Sequence, residues 1–129
     1  MNETALLFGS IFGGTAVIFG AFGAHLLKKR FNKEQLSNFE TGVRYQMYHA
    51  LALLAIGLSA ATPNEYLTNA VRFFILGTLL FSLSIYGLTI SSAMKSKIKI
   101  LGPITPIGGL FLVGGWAMLF VYFFTIKTQ

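Results

Sequence analysis

The chain has 129 residues, 54% of them hydrophobic and only 11% charged, with a formal charge of +6 and no cysteine. A water-soluble domain of that size needs far more surface charge, so the composition excludes an ordinary soluble fold and selects a bilayer as solvent. The missing thiols exclude disulfides, thiolate metal sites and cysteine nucleophiles, and the basic residues stand in short runs beside apolar segments, where they read as topogenic and lipid-contacting rather than nucleic-acid-binding.

The expected fold is all-α: one membrane domain, residues 1–129, built as a bundle of four transmembrane helices. Span one, residues 5–27, contains no charged residue and makes about 34 Å of helix, enough for a hydrocarbon core about 30 Å thick. Glu3 precedes it and Lys28, Lys29 and Arg30 follow. A cleaved signal peptide has the opposite charge order, so this segment is expected to be retained with its N-terminus outside.

Asn32 followed by Gln35 has the form of a capping box, and Leu36, Phe39 and Val43 then recur at helical spacing among polar residues. That pattern predicts a short helix lying on the membrane interface ahead of span two. Span two is expected over residues 45–62, closed by Pro63, because a proline disfavours helical geometry in the residue before it. Span three covers residues 73–93, between Arg72 and the lysines Lys95, Lys97 and Lys99. Span four covers residues 106–126, with Thr105 and Pro106 as cap and first helical position.

Lys28, Lys29, Arg30 and Lys33 lie in the first loop and Lys95, Lys97 and Lys99 in the third, opposed only by Arg72 and Lys127. Cytoplasmic loops carry the excess of Lys and Arg. The loops with Lys28–Arg30 and Lys95–Lys99 are therefore expected in the cytoplasm and both termini outside, with anionic lipid headgroups as partners of the basic loops.

Small residues suggest where helices approach. Gly9, Gly13 and Gly20 form one stripe of span one with Ala16 and Ala24, and Gly14 and Ala21 line a second face. A helix thin on two sides is expected to be central. Gly77 and Ser84 make a seam in span three, with Ser91, and Gly108 and Gly115 make one in span four. These seams suit packing within one bundle, or self-association into a homo-oligomer or larger membrane complex.

On span two, Tyr45, Tyr48 and His49 share a face with Ala52 and Ser59, which should point into protein. An unpartnered His49 in the membrane would be costly, so a partner is expected among His25, Ser82, Tyr86 and Thr105. Arg44 is placed to hold a lipid phosphate. The candidate site is thus a polar cluster at the cytoplasmic end of the bundle: His25, Arg44, Tyr45, Tyr48, His49, Ser82, Tyr86 and Thr105. A register-fixing network and a headgroup-binding site both account for it. No cofactor or metal is expected; two histidines could ligate haem, but no spacing motif supports it. The spans contain no Asp or Glu, which fits proton-coupled export badly.

Several strings together carry a family likeness: Gly20-Ala21-Phe22-Gly23-Ala24-His25, then Phe39-Glu40-Thr41-Gly42-Val43-Arg44-Tyr45-Gln46-Met47-Tyr48-His49-Ala50-Leu51-Ala52, Leu80-Phe81-Ser82, Ser84-Ile85-Tyr86, Leu101-Gly102, Thr105-Pro106-Ile107-Gly108-Gly109 and Gly115-Trp116. The chain resembles the YgdD/YwdK-like bacterial inner-membrane proteins, domain-of-unknown-function family 423. The resemblance implies a four-span protein of the bacterial cytoplasmic membrane and implies no activity. Leu83 stands where the family commonly has Gly between the two serines, which puts close helix approach at that point in question. The functional expectation is a non-enzymatic structural or accessory membrane component, with a binder of a lipid headgroup or small amphipathic molecule as the alternative.

Overall fold

The computed structural model describes residues 1–128, and every regular element among them is helical. Helix α1 (Glu3–His25) starts at Asn2, whose side chain accepts from the Ala5 amide at 3.0 Å, and Glu3 complements the helix dipole in the first turn. A 3-10 turn over Leu27–Lys29 leads to α2 (Lys33–Leu58). The expected capping box is present there: Gln35 N donates to Asn32 Oδ1 at 2.8 Å, and Asn32 N to Gln35 Oε1 at 3.0 Å.

Helix α2 differs from the expectation in two ways. It is one continuous helix of 26 residues, so the interfacial helix and the second span form a single element. Its first half stands upright against the rest of the protein, with Phe39 and Gly42 buried and Gln35 Nε2 donating to Ser92 Oγ at 3.3 Å. It also ends at Leu58, well before Pro63, where Ser59 turns extended at φ −67°, ψ 145°.

The third rod, Glu65–Ala93, runs unbroken through α3 (Glu65–Thr78), a π turn (Leu79–Leu83) and α4 (Ser84–Ala93). It begins before the expected Phe73 because Asn64 caps it, accepting from Tyr66 N at 2.6 Å, and because Leu67, Ala70 and Val71 are buried. Lys95, at φ 57°, ends α4 in a Schellman motif: Ser96 N donates to Ser91 O at 2.9 Å and Lys95 N to Ser92 O at 3.1 Å. After a 3-10 turn over Lys99–Leu101, α5 (Ile104–Lys127) completes the chain. Thr105 is inside its first turn and does not cap it; no side chain does.

Three stretches are long and apolar enough to cross a membrane: Glu3–Lys29, Glu65–Ala93 and Lys99–Lys127. Helix α2 is not among them, because even its more apolar second part includes Arg44, Gln46 and His49.

The helices form two antiparallel hairpins joined face to face. In the first, Asn2 N donates to Gly57 O at 3.1 Å at one end, and Gly23 meets the Phe39 ring at the other. In the second, α5 lies along α3 and the π turn, with Gly77 against Leu112 and Gly115 against Phe74. Helix α2 joins the hairpins by packing on the third rod. The most enclosed element is that rod, with 44% of its apolar window buried, against 22% for the stretch containing α1. Helix α1 is therefore an edge helix and not the expected central one. Its first stripe does face α2, with Gly9 at Ala50 and Leu54, Gly13 at Ala50 and Gly20 at Val43. Its second face, Gly14 and Ala21, is open.

Candidate functional site

The polar side chains of the interior form separate hydrogen-bonded groups between helices, the largest of which ties α1, α2 and α4 together. At its centre is Gln46, buried on α2. Its Nε2 donates to Phe12 O at 2.9 Å and to Thr15 Oγ1 at 2.6 Å on α1, and its Oε1 accepts from Tyr86 Oη at 2.7 Å on α4. Three helices are pinned by one amide. Gly42 makes room for this arrangement, since a Cβ there would stand 2.8 Å from the Tyr86 ring. The ring is also held edge-on by Phe19, centroids 5.1 Å apart, and by the tilted ring of Phe39 at 5.0 Å.

Next to it, Ser82 Oγ donates to Gly42 O at 2.8 Å, tying the π turn to α2. Ser84 Oγ donates to Phe81 O at 2.9 Å, so in its 2.6 Å contact with Thr105 it accepts, and Thr105 Oγ1 is the donor. Leu83 points outward, half exposed, and the close approach to α2 is carried by Ser82 and not by position 83. The Thr78 hydroxyl, one turn earlier, is a buried side-chain polar atom without a partner among the described residues.

His49 is buried and has partners at both ring nitrogens. Trp116 Nε1 donates to His49 Nε2 at 3.1 Å, and Nδ1 lies 2.7 Å from Tyr45 O. An indole N–H only donates, so Nε2 is the acceptor, and the proton must be on Nδ1 to bond a carbonyl. The ring is thereby held neutral in one tautomer. Trp116 sits half exposed on α5, where an unpaired N–H facing hydrocarbon would be costly, and His49 removes that cost. His49→Leu is accordingly expected to cost about 1 kcal/mol of stability. It should also move the indole N–H resonance of the chain's single tryptophan upfield in an NMR spectrum, with His49→Gln restoring part of the shift.

The predicted cluster is thus only partly assembled. Ser82 and Tyr86 join a network with α2, and Thr105 pairs with Ser84, but none of them is the partner of His49. His25 is exposed on the outer face of α1 beside Ile18, Ala21, Phe22 and Leu26, remote from His49, so the two histidines do not face a common ligand. Arg44 is exposed beside Glu40 in the crevice between α1 and α2, 3.5 Å from Thr41 Oγ1. Tyr45 and Tyr48 meet edge to face with centroids 5.8 Å apart, both substantially exposed, with Tyr45 also against Phe81. His49 lies in the middle of the bundle, not at its basic end, because α2 begins at Lys33 and places it well over halfway along the helix. Sequence reasoning missed Gln46 and Trp116 as partners, although both stand in the strings that carry the family likeness.

Among the described residues no group of three or more His, Cys, Asp or Glu side chains is placed to hold a metal ion. The geometry defines a helical membrane protein whose interior polar groups bind one another. The family described as Protein of unknown function (DUF423) matches residues 19–109, and the chain belongs to it. It is 39% identical over 116 residues to a UPF0382 membrane protein of Staphylococcus haemolyticus, covering 90% of this chain and 91% of that one. It is 35% identical over 126 residues to the UPF0382 inner membrane protein YgdD of Escherichia coli strain K12, covering 96% and 92%. A UPF0382 membrane protein of Haemophilus influenzae is 35% identical over 119 residues, covering 92% of each. No solved structure matches the chain significantly.

Proposed function

We infer that this chain is a four-span protein of the bacterial cytoplasmic membrane with a non-enzymatic, structural or accessory role. The observation that carries the reading is Gln46: every hydrogen-bonding group of its side chain engages α1 or α4, which suits a device for holding helices in register and leaves nothing for a substrate. His49, with both nitrogens engaged, supports the same reading. The fourth crossing is α2. It packs on α1 from Gly57 at one end to Phe39 at the other, so a bilayer that takes α1 must also take α2. Its charged first half is then shielded by α4 or reaches the headgroups, as Arg44 does by extending its side chain.

The orientation follows from the basic loops: Lys28–Arg30 and Lys95–Lys99 in the cytoplasm, both termini outside. The chain lacks native thiols, so single cysteines test this directly. Glu65→Cys and Gln129→Cys are expected to react with an impermeant maleimide on intact cells, and Arg30→Cys and Lys97→Cys only after lysis; the reverse pattern ends the topology. Gln129 lies outside the described residues.

Self-association belongs to the same reading. The seams of Gly9, Gly77, Gly108 and Gly115 are filled within the monomer, so the small face available to a second copy is that of Gly14 and Ala21 on α1, where a Cβ at Gly14 would meet nothing within 4 Å. Headgroup binding through a His25 and His49 cluster is not favoured, because those residues are apart. A different part of the molecule favours lipid.

A further inference from the structure

The polar first half of α2 faces a groove. Asn32, Gln35, Asn38 and Thr41 follow one another at intervals of three residues and line two adjoining cavities of about 530 and 380 Å³. The opposite wall is α4, through Ile85, Leu88, Thr89 and Ser92. The loop after α4 closes the end: Ser91 Oγ accepts from Ile98 N at 3.2 Å, and this fold-back sets Lys97 and Lys99 into the lining of the larger cavity. Glu34 lines the same cavity, with no ion pair to either lysine among the described residues.

We propose that this groove between α2, α4 and the Lys97–Lys99 loop binds one phospholipid headgroup, its phosphate between Lys97 and Lys99 and an ammonium group on Glu34, as in an aminophospholipid. The gradation of the groove supports this occupant. Its outer chamber carries amides, two cations and one carboxylate, whereas its inner chamber has no charged residue in its lining and adds Thr41, Ile85, Thr105 and Pro106 to the Asn38, Leu88, Thr89 and Gly102 that the two share. Counting about 20 residues of helix for the hydrocarbon core from Leu58 brings the boundary to about Asn38, and Asn38 is where the two chambers join. The polar chamber therefore lies at headgroup depth and the apolar one at the start of the acyl chains. Asn38, whose amide lies at that junction, is placed to bond the glycerol ester or phosphate oxygens.

This inference rests on the membrane reading above, but its test does not depend on which way the protein faces. The full chain is purified in mild detergent and titrated with dioleoyl phosphatidylethanolamine, phosphatidylglycerol or phosphatidylcholine, and bound lipid is counted by native mass spectrometry. Phosphatidylethanolamine is expected to bind one to one and tightest. The double variant Lys97→Gln/Lys99→Gln should bind it about thirtyfold more weakly, at the usual gain per lysine near a lipid headgroup. The variant Lys28→Gln/Lys29→Gln, with the same charge loss on the other basic loop, should bind as the parent does.

Glu34→Gln should shift the preference from phosphatidylethanolamine to phosphatidylglycerol. Equal weakening by both lysine pairs, or unchanged binding by the Lys97 and Lys99 variant with its thermal midpoint intact, overturns the site. Displacement of lipid by inorganic phosphate at millimolar concentration would assign the lysines to a free anion and overturn the lipid. All four substituted lysines are exposed, so the variants are expected to fold.

Discussion

Gly108→Leu is expected to unfold the second hairpin, and even Gly108→Ala should cost about 1–3 kcal/mol. A Cβ built at this position would stand 2.8 Å from the carbonyl carbon of Leu80 and from Phe81 Cα, so it collides with main chain and not with a side chain that can rotate away. Helix α5 and the π turn are in backbone contact there. In a bilayer such contacts are the main attraction between helices, because lipid tails are as apolar as leucine. Separating the two elements would also pull Thr105 from Ser84. Gly114 makes an instructive comparison, since its Cβ would meet only the edge of the Phe73 ring, at 2.9 Å. Gly114→Ala should therefore cost less than Gly108→Ala, the ring being free to shift. Gly14→Leu, facing open space, should leave monomer stability within about 0.5 kcal/mol. If copies associate through α1, that same variant should lower the oligomer mass measured in detergent. Denaturant titration of each variant in mixed micelles reads the first effect, and light scattering the second.

The elements were legible in the sequence because each leaves a local mark. Uncharged runs located α1, the end of the third rod and α5, and Asn32 with Gln35 located the start of α2. The small seams of Gly9, Gly77, Gly108 and Gly115 did mark helix contacts, but which helix is central and which polar side chains meet were not legible. The alternation of polar and apolar residues from Lys33 to Arg44 states that α2 has a polar side; it does not state whether that side meets water or another polar helix. Here it meets the groove beside α4, and the half-helix stands up in place of lying flat.

That error moved others. With span two set at residues 45–62, His49 falls near the basic end, in the same leaflet as His25; with α2 starting at Lys33 it rises to the centre, opposite Trp116. The two small faces of α1 were correctly seen, but small residues state where an approach is possible, not that a helix is there to make it. The partner of a buried polar side chain depends on the rotation of the neighbouring helix, and no spacing within a single sequence encodes that rotation. Gln46 shows the limit most plainly: it was one polar residue in a recognised string, and its role exists only where α1, α2 and α4 converge.

Gln46→Leu should then be the most damaging change on α2, and a double-mutant cycle can say why. Removing the amide takes its partner on α2 from the hydroxyl of Tyr86, whose ring is buried between Phe19 and Phe39. It does not orphan Thr15, whose hydroxyl still donates to Ile11 O at 2.7 Å. The expected cost is about 2 kcal/mol, most of it the desolvated Tyr86 group and the lost tie to α1. Tyr86→Phe alone leaves Gln46 Oε1 without its donor and should cost about 1 kcal/mol. In the Gln46→Leu/Tyr86→Phe chain neither group is left unpaired, so the double variant should be more stable than the sum of the two losses requires, by about 0.6–1.7 kcal/mol, the range measured for side-chain hydrogen bonds between membrane helices. Strict additivity would mean that the pair does not couple α2 to α4 and would remove the register-holding role. Coupling together with unaltered lipid binding would assign Gln46 to architecture and the groove of Lys97 and Lys99 to the ligand, since two independent sites in one small bundle must respond to different substitutions.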